Sequence, residues 1–293
     1  MRTLTNILRV NSLESPELQP YRTLRRPLEH IKKGIFVAEG EKVVARLLDS
    51  ELTIVSMLLT PEWFEEISSS HRLSIDLSAS EPVSGVTSGA EKSGTSPPAL
   101  YIAEHGLLET IVGYNLHQGI MAVARIPEER SMQEIIGSIP HPHLLVALDG
   151  LVSAENVGVV VRNCAAFGVH AIIVGETSSS PYLRRAVRNS MGTIFHVPVV
   201  HSDNLAGALS TIHGRYGTRI VAAHPHDRSD IRRVDLTGNL CIVFGNEGDG
   251  ISRTVLDACS ERVAIPMASQ VDSLNVASAS AVFLYEAKSQ RGD

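Results

Sequence analysis

The sequence predicts an α/β protein in which a mostly parallel C-terminal sheet follows a smaller α/β domain. Short apolar runs alternate with helical patterns along most of the chain, which is typical of parallel strands joined by helices. Hydrophobic residues make up 43% of the chain and charged residues 20%, proportions that are ordinary for a globular protein with a buried core. We expect an N-terminal domain at 1–125, a linker at 126–142 and a C-terminal domain at 143–293.

Prolines at 16, 20 and 27 divide the start of the N-terminal domain, residues 1–33, into what we expect to be helical segments. After them, apolar runs and helical spacing predict strands and helices in alternation. The strands are expected at 34–38, 52–60, from 101 and at 119–125, and the helices at 39–48, 61–67 and up to about 112. Residues 68–98 hold ten serines, and we expect a mobile loop there, with a short strand near its beginning.

The C-terminal domain begins at His143 and continues the alternation to the end of the chain. Its first strand, at 144–148, is of the buried type, and the helix after it carries apolar residues at i, i+3 and i+4 from Val157. Further strands are expected at 171–174, 196–200, 218–222, 240–245 and 263–265, with helices at 156–167, 183–190, 204–212, 252–258 and from 273 onward. Serine is a preferred N-cap, so the simplest interpretation of Ser273 is the cap of the closing helix.

Net charge and cysteine usage narrow the class of protein. A net charge of −6 argues against coating of nucleic acid by bulk electrostatics, although residues 1–33 carry seven basic and three acidic residues. The three cysteines form no CxxC pair, which favours a reducing, cytoplasmic location. The sequence has no long uninterrupted apolar run and no signal-peptide pattern, so we expect no membrane segment.

Three stretches place polar residues where a strand passes into a loop or helix, which is the usual ligand position in open α/β sheets. In the first, Asn156 opens a helix and Arg162 is the only charge in a helical run at 157–167 whose ten other residues are uncharged. Such surroundings suggest a largely buried helix, and a buried arginine needs a partner. A solvent-facing Arg162 is the structural alternative.

The second stretch, from Gly245 to Gly250, has three glycines that let the backbone turn sharply after a strand and approach a ligand. Its spacing is not GxGxxG, so a dinucleotide-binding fingerprint is a poor match. The third stretch links Ile265 to Ser273-Leu274-Asn275, ahead of a helix rich in small residues. Taken singly, each stretch is also what a tight turn or a helix cap would show.

Together, and in this order, the three stretches resemble the signature motifs of the SpoU (TrmH-like) RNA 2′-O-ribose methyltransferases, part of the SPOUT superfamily. The matching elements are Asn156-x-Gly158-x-x-x-Arg162 with Phe167-Gly168, then Gly245-x-Glu247-Gly-x-Gly250, then Ile265-Pro-Met267 with Ser273-Leu-Asn275, and the intervening segment Arg188–Gly192. The resemblance is strong over about 143–290. Residues of about 20–125 look, less specifically, like the N-terminal RNA-recognition domain of the family.

The resemblance implies S-adenosylmethionine as methyl donor, a trefoil knot in the C-terminal domain, and a homodimer with its sites near the interface. It also implies two sets of site residues. The cofactor-binding set is Gly245, Asn246, Ile265 and Leu274. The catalytic set is Arg162, which activates or stabilises the hydroxyl, and Asn156, Glu247, Ser273 and Asn275, which orient Arg162 and the ribose.

RNA is the expected substrate, and both ribosomal and transfer RNA stay open, with an N-terminal domain favouring ribosomal RNA. The expected phosphate contacts are Arg22, Arg25, Arg26 and Arg188, although basic surfaces of this kind are often only solvated. The histidine pairs at 141/143 and 224/226 lack a metal-binding frame, so we interpret them as surface loops and expect no metal. The alternatives are a non-catalytic RNA-binding protein on the same fold and a nucleotide-binding oxidoreductase.

Overall fold

The structure is a computed structural model that describes residues 2–4, 6–69, 73–75, 98–112, 119–225, 227 and 229–292. The predicted serine-rich loop at 68–98 therefore lies almost wholly outside the described residues. Contacts between residues divide the chain into two compact units, Met1–Pro127 and Glu128–Asp293. None of the helices in the described part of the chain has the length and apolar content needed to cross a bilayer.

The first unit is built on a five-stranded mixed sheet in the order β2-β6-β4-β7-β3. Its strands are β1 Arg2–Leu4, β2 Asn6–Arg9, β3 Ile35–Glu39, β4 Ile54–Leu59, β5 Leu73–Ile75, β6 Ala99–Ile102 and β7 Ile120–Arg125, with β1 and β5 forming a separate parallel pair. Its helices are α1 Gln19–Arg22, α2 Pro27–Lys32, α3 Glu41–Asp49, α4 Pro61–Ser69 and α5 His105–Val112, after a 3-10 turn at Pro16–Leu18. Strand β7 runs antiparallel to β3 and β4.

The start of the chain differs from the prediction. Helical segments were expected throughout residues 1–33, but β2 is an edge strand that pairs in parallel with β6, from Asn6 opposite Ala99 to Arg9 opposite Ile102. Local sequence does not reveal this pairing, because the partner strand lies about ninety residues away and tertiary pairing overrides a weak helical preference. The predicted helices appear only from Gln19 onward.

The second unit contains a six-stranded sheet in the order β10-β9-β8-β12-β11-β13, in which every neighbouring pair is parallel. Its strands are β8 Leu144–Asp149, β9 Ala171–Gly175, β10 Val199–Ser202, β11 Arg219–Ala223, β12 Leu240–Gly245 and β13 Glu261–Val263. Its helices are α6 Met132–Ser138, α7 Ala154–Ala166, α8 Arg184–Asn189, α9 Leu205–Tyr216, α10 Arg253–Asp257 and α11 Val276–Arg291, with 3-10 turns at Thr193–His196 and Ile231–Arg233. The chain reversals place all carboxyl ends of the strands at one edge of the sheet.

Helices cover both faces of this sheet. On one face, Leu145 and Val243 of the central strands belong to a buried cluster with Ile135, Leu209 and Val255 from α6, α9 and α10. Because side chains alternate along a strand, the residue after Val243 points to the opposite face. There the ring of Phe244 meets that of Phe283 from α11 edge to face, with 5.9 Å between ring centroids.

Most of the segment predicted as a linker, 126–142, packs with the second unit. Ser131 and Glu134 form a capping box at the start of α6, where the Ser131 amide donates to the Glu134 carboxylate at 2.8 Å. Ile135 and Ile136 of this helix are fully buried in the core of the unit. The boundary between the units therefore falls at Pro127 and Glu128.

One strand of the second unit begins later than predicted. A strand was expected at 196–200, whereas a 3-10 turn ends at His196 and β10 starts at Val199. Pro198 lies between them and has no N–H to donate to the sheet, although its carbonyl accepts from the Ile172 amide at 2.9 Å. Only the residues after this proline can use both their N–H and C=O groups in hydrogen bonds to β9.

Candidate functional site

A tight glycine turn at 245–250 closes the carboxyl end of β12. The backbones of Asn246 and Gly250 exchange two hydrogen bonds of 2.8 and 3.1 Å. A side chain on Gly245 would lie 2.4 Å from the carbonyl carbon of Gly250, and Gly250 itself has a φ of +72°. Glycine is therefore required at both positions, first for close approach and then for left-handed backbone.

Asn246 holds this turn in place and ties it to the neighbouring strand. Its Oδ1 accepts hydrogen bonds from the amides of Gly248 and Asp249, at 2.7 and 3.0 Å. Its Nδ2 donates to the carbonyl oxygen of Gly150, just beyond β8, at 2.7 Å. These bonds use Asn246 as a structural support, so its predicted role in cofactor binding stays a prediction.

A cavity of about 650 Å³ lies at this edge of the sheet. It is bounded by the ends of β11 and β12, the glycine turn, the segment after β13 and the first turns of α11. Among the lining residues are Gly245, Asn246, Glu247, Ile265, Ser273, Leu274 and Asn275. Seven of the nine residues that the sequence assigned to the cofactor and to catalysis thus line a single cavity.

Asn156 connects the first predicted motif to the other two. Its Nδ2 donates to Glu247 Oε1 at 2.9 Å, and its Oδ1 accepts from Asn275 Nδ2 at 3.3 Å. The Oδ1 of Asn275 in turn accepts from the Ala277 amide at 2.9 Å. Each amide group donates with its nitrogen and accepts with its oxygen, so the network defines the orientation of both side chains.

The closing helix begins later than predicted. Its first residue is Val276 and its N-cap is Asn275, whose side chain accepts from the backbone two residues on. Ser273 is therefore not the cap. It is an exposed residue of the segment that precedes the helix, where it lines the cavity.

Arg162 differs from its predicted environment. The buried side of α7 consists of Val157, Gly158, Val160, Val161 and Cys164, and Arg162 projects from the opposite, exposed side. The apolar run around it predicted a buried arginine, which is wrong because the helix buries one face only. Arg162 is not among the residues that line the cavity of its own chain.

Helix α8 is held close against α7. A side chain on Gly158 would lie 2.4 Å from the Ala186 carbonyl oxygen and 2.7 Å from Asn189 Cβ. Arg185 of α8 also forms an ion pair of 3.0 Å with Glu155 of α7. Arg188, a predicted RNA contact, is exposed on this closely packed helix.

The other three predicted RNA contacts lie on the surface of the first unit. Arg22, Arg25 and Arg26 are all exposed. Arg22 pairs with Glu14 at 2.6 Å, and Arg26 pairs with Glu29 at 3.3 Å. Exposed pairs of this kind contribute little to stability, so both guanidinium groups are available to exchange partners.

Several lining residues were missed by the sequence interpretation. His224, at the end of β11, was assigned to a surface loop but lines the cavity together with Met267, Asp272 and Phe283. Its position two residues after the strand predicted at 218–222 was the available signal, because the carboxyl edge of a parallel sheet is where ligands bind. His226 lies outside the described residues. Among those described, no group of His, Cys, Asp and Glu is arranged to hold a metal ion.

The cysteines supply no nucleophile to the site. Burial raises the pKa of the Cys164 and Cys241 thiols far above their usual range. Burial also raises the pKa of Cys259 to about 11. All three thiols therefore stay protonated near neutral pH and act as small apolar groups.

The parallel α/β sheet, the glycine turn and the network around Asn156 define an α/β domain with a cavity of cofactor size at the carboxyl edge of its sheet. A model of the SpoU rRNA Methylase family matches residues 143–285. The 23S rRNA (guanosine-2′-O-)-methyltransferase RlmB of Vibrio parahaemolyticus is 39% identical over 178 residues, which are 60% of this chain and 71% of that protein. The chain belongs to the SpoU rRNA methylase family.

Solved structures share the fold of this chain. A structure described as an RNA 2′-O ribose methyltransferase is 25% identical, with a TM-score of 0.73 over 97% of this chain and 99% of that one. AviRb of Streptomyces viridochromogenes, in complex with AdoMet, is 22% identical, with a TM-score of 0.75 over 95% and 98% of the two chains. The predicted family and the predicted α/β fold are confirmed, and the trefoil knot stays a prediction.

Proposed function

We propose that this protein transfers a methyl group from S-adenosylmethionine to a ribose 2′-hydroxyl of RNA. The observation that carries the proposal is the network in which Asn156, Glu247 and Asn275, from three distant motifs, meet at the cavity edge. A protein that only binds RNA has no need of this arrangement beside a ligand cavity. Membership of the SpoU family and the names of the relative from Vibrio parahaemolyticus and of the RNA 2′-O ribose methyltransferase structure support the same reaction.

The lining residues fit S-adenosylmethionine in size and chemistry. A cavity of about 650 Å³ lies within the usual range for cofactor sites. Ile265, Leu274 and Phe283 supply apolar walls suited to an adenine ring, and Gly245 allows the backbone to approach closely. The carboxylates of Glu247 and Asp272 suit the positive charge of a sulfonium.

When bound, S-adenosylmethionine supplies an electrophilic methyl group, so the protein has to align the hydroxyl and stabilise the developing alkoxide. We assign the alignment to Asn156, Glu247, Ser273 and Asn275, because they share one cavity edge. We assign Arg162 to the hydroxyl and its neighbouring phosphate as a charged guanidinium. As a base it would first have to lose a proton, at a cost of at least about 7 kcal/mol near neutral pH.

We also propose a homodimer, because of the position of Arg162. Arg162 is exposed and does not line the cavity of its own chain. Helix α11 packs beside α7, with Asn163 Nδ2 donating to the Ala277 carbonyl at 2.8 Å, and it exposes Val282 and Tyr285 by 39% and 63%. These two apolar side chains, one turn apart, form a face for a second copy, whose cavity Arg162 would then complete.

Ribosomal RNA is the substrate that we propose, in the cytoplasm. The relative from Vibrio parahaemolyticus is named for guanosine in 23S rRNA, and the exposed Arg22, Arg25 and Arg26 give the first unit a surface for RNA phosphates. Transfer RNA is the competing substrate.

Transfer of tritium from labelled S-adenosylmethionine tests the reaction. Ribosomal and transfer RNA would be supplied separately, and the labelled RNA would then be treated with alkali, which does not cleave beside a 2′-O-methylated ribose. We expect label in alkali-resistant dinucleotides from ribosomal RNA. Label recovered in alkali-sensitive mononucleotides would contradict ribose methylation, and the absence of transfer to either RNA would favour a protein that only binds RNA.

Arg162→Ala tests the role of the arginine. We expect methyl transfer to be abolished while calorimetry shows unchanged affinity for S-adenosylmethionine, because we assign Arg162 to the ribose hydroxyl and its neighbouring phosphate and not to the cofactor. Arg185→Ala is a matched control, since Arg185 is an exposed arginine of α8 with an ion pair to Glu155. Full activity of Arg162→Ala would remove Arg162 from the mechanism.

A further inference from the structure

A second cavity, of about 490 Å³, lies at the opposite edge of the same sheet. It is lined by Leu144 at the start of β8, by His170 just before β9 and by Thr237 before β12, which are all at the amino ends of strands. A six-residue strand is roughly 20 Å long, so this cavity is well separated from the one at the carboxyl edge. None of its lining residues is shared with the first cavity.

The second cavity is lined by basic groups without an acidic one. Its wall contains His141, His170, Lys288 and Arg291, and neither aspartate nor glutamate is among the lining residues. Lys288 forms no ion pair with a carboxylate in the described part of the chain, and it is the only lysine between positions 128 and 293. An ammonium group at the wall of a cavity is a recognition element for anions.

Arg291 is fixed at the cavity wall by the backbone. Its guanidinium donates to the carbonyl oxygens of Leu236 at 3.0 Å, Pro142 at 3.1 Å and His143 at 3.3 Å. A hydrogen bond of 2.5 Å to the Gly238 carbonyl adds a fourth anchor. These bonds join the end of α11 to the segments that enter β8 and β12, so the wall that carries Lys288 is held in one position.

Buried His143 lies beside the basic groups of this cavity. Its side chain is fully buried and lies against His141, with 5.0 Å between ring centroids. Burial is the main cause that lowers the pKa of His143 to about 4, and repulsion from His141, His170 and Arg291 contributes to the same shift. The same groups that disfavour a second positive charge there favour an anion in the adjacent cavity.

We propose that this cavity binds a phosphate group, with Lys288 as its main charged contact and His141 and His170 at its sides. Phosphate suits the site because several oxygens can each accept a charge-assisted hydrogen bond from a different donor. The cavity is larger than phosphate alone, and Pro142 and Phe167 leave apolar wall for an attached nucleoside. The phosphate belongs either to an RNA backbone or to a free phosphate or nucleotide.

The five lysines of the chain allow a test that is specific for the residue. Reductive ¹³C-methylation of the full-length protein keeps their charge and gives each lysine its own signal, and the signal that is lost in Lys288→Arg identifies Lys288. Inorganic phosphate would be titrated against chloride at constant ionic strength. We expect the Lys288 signal to move saturably with phosphate while Lys32, Lys33 and Lys42 stay in place, and equal movement with chloride would overturn the proposal.

Variants test the charge independently of methylation. We expect phosphate to raise the Tm of the wild type and of Lys288→Arg, and its apparent Kd to increase about tenfold in Lys288→Gln because one charge-assisted contact is lost. Lys42→Gln, which removes an exposed lysine of α3, should respond like the wild type. If Lys288→Gln folds normally and its Tm responds to phosphate like that of the wild type, the phosphate site at Lys288 is refuted.

A ribosomal RNA fragment then identifies the source of the phosphate. Movement of the Lys288 signal at micromolar RNA, where inorganic phosphate needs millimolar concentrations, assigns the cavity to the RNA backbone. Movement with phosphate or a mononucleotide but not with RNA assigns it to a free ligand. These readouts need no S-adenosylmethionine and no methyl transfer, so their outcome is independent of whether the proposed reaction is correct.

Discussion

Gly245→Ala should damage the cofactor cavity while leaving most of the fold intact. The added methyl group would lie 2.4 Å from both the Gly250 carbonyl carbon and the Ile251 nitrogen, and 2.5 Å from the Gly250 carbonyl oxygen. All three are backbone atoms, so no side chain can rotate away and the turn itself has to open. Opening of the turn displaces Asn246 and Glu247, and with them the edge of the cavity.

Overpacking of a tight site costs about 1–3 kcal/mol. If this cost falls on the ligand-binding conformation, affinity for S-adenosylmethionine should fall by about 5-fold to about 150-fold. Gly248→Ala in the same turn is the matched control, because the nearest atom to its methyl group would be Asn246 Oδ1 at 3.5 Å, an ordinary contact distance. Calorimetry measures both affinities and thermal unfolding measures both Tm values.

Comparison of these two variants tests whether the close approach of the backbone at Gly245 shapes the cavity. We expect Gly245→Ala to bind weakly and Gly248→Ala to bind nearly as well as the wild type. Equal affinities for the two variants would refute the claim that the close approach of the backbone shapes the cavity. Weak binding by Gly248→Ala alone would place the important contact elsewhere in the turn.

Three further predictions concern the network, the dimer and the pH response. Asn156→Asp replaces the donor to Glu247 by a carboxylate at a distance of 2.9 Å, so kcat/KM should fall at least about tenfold, and unchanged kinetics would contradict the role of the network. Tyr285→Glu places a charge on the exposed face of α11, so light scattering should show a monomer, whereas a stable dimer would place the interface elsewhere. The pKa of His143 is lowered to about 4, so between pH 6.5 and 4 the unfolded chain binds a proton at this histidine that the folded protein does not. The free energy of unfolding should therefore fall by up to about 1.4 kcal/mol per pH unit as the pH drops through this range. Denaturant titrations of the wild type and His143→Gln measure this, and parallel pH profiles would contradict it.

The order of strands and helices predicted that the candidate site residues converge, whereas the sequence did not predict the strand at the start of the chain. Residues at strand ends, such as Gly245 and Ile265, converge because the carboxyl ends of parallel strands share one edge, and that rule needs only the order of strands and helices. The N-terminal strand Asn6–Arg9 followed no such rule, because its pairing with Ala99–Ile102 depends on a partner far along the chain. Long-range pairing has no local signature in these short segments.

Arg162 and Ser273 show a second limit of local patterns. An apolar run around Arg162 indicates that the helix packs against something, but only the structure shows which side is buried. Ser273 has the right chemistry for an N-cap, yet Asn275 has it too and lies directly before the first helical turn. When two residues near a helix start can both act as N-cap, the backbone position at which the helix begins determines which of them is the cap.

The Asn156 network also determines how much of the chain has to be synthesised before the edge of the candidate site can close. Its two hydrogen bonds join residues that are 91 and 119 positions apart, so closure of the site depends on contacts that are slow to form. Asn275, which completes the network, directly precedes α11, and a nascent chain that ends before Asn275 contains the other two side chains without their third partner. The network therefore cannot close on the ribosome until Asn275 has been translated.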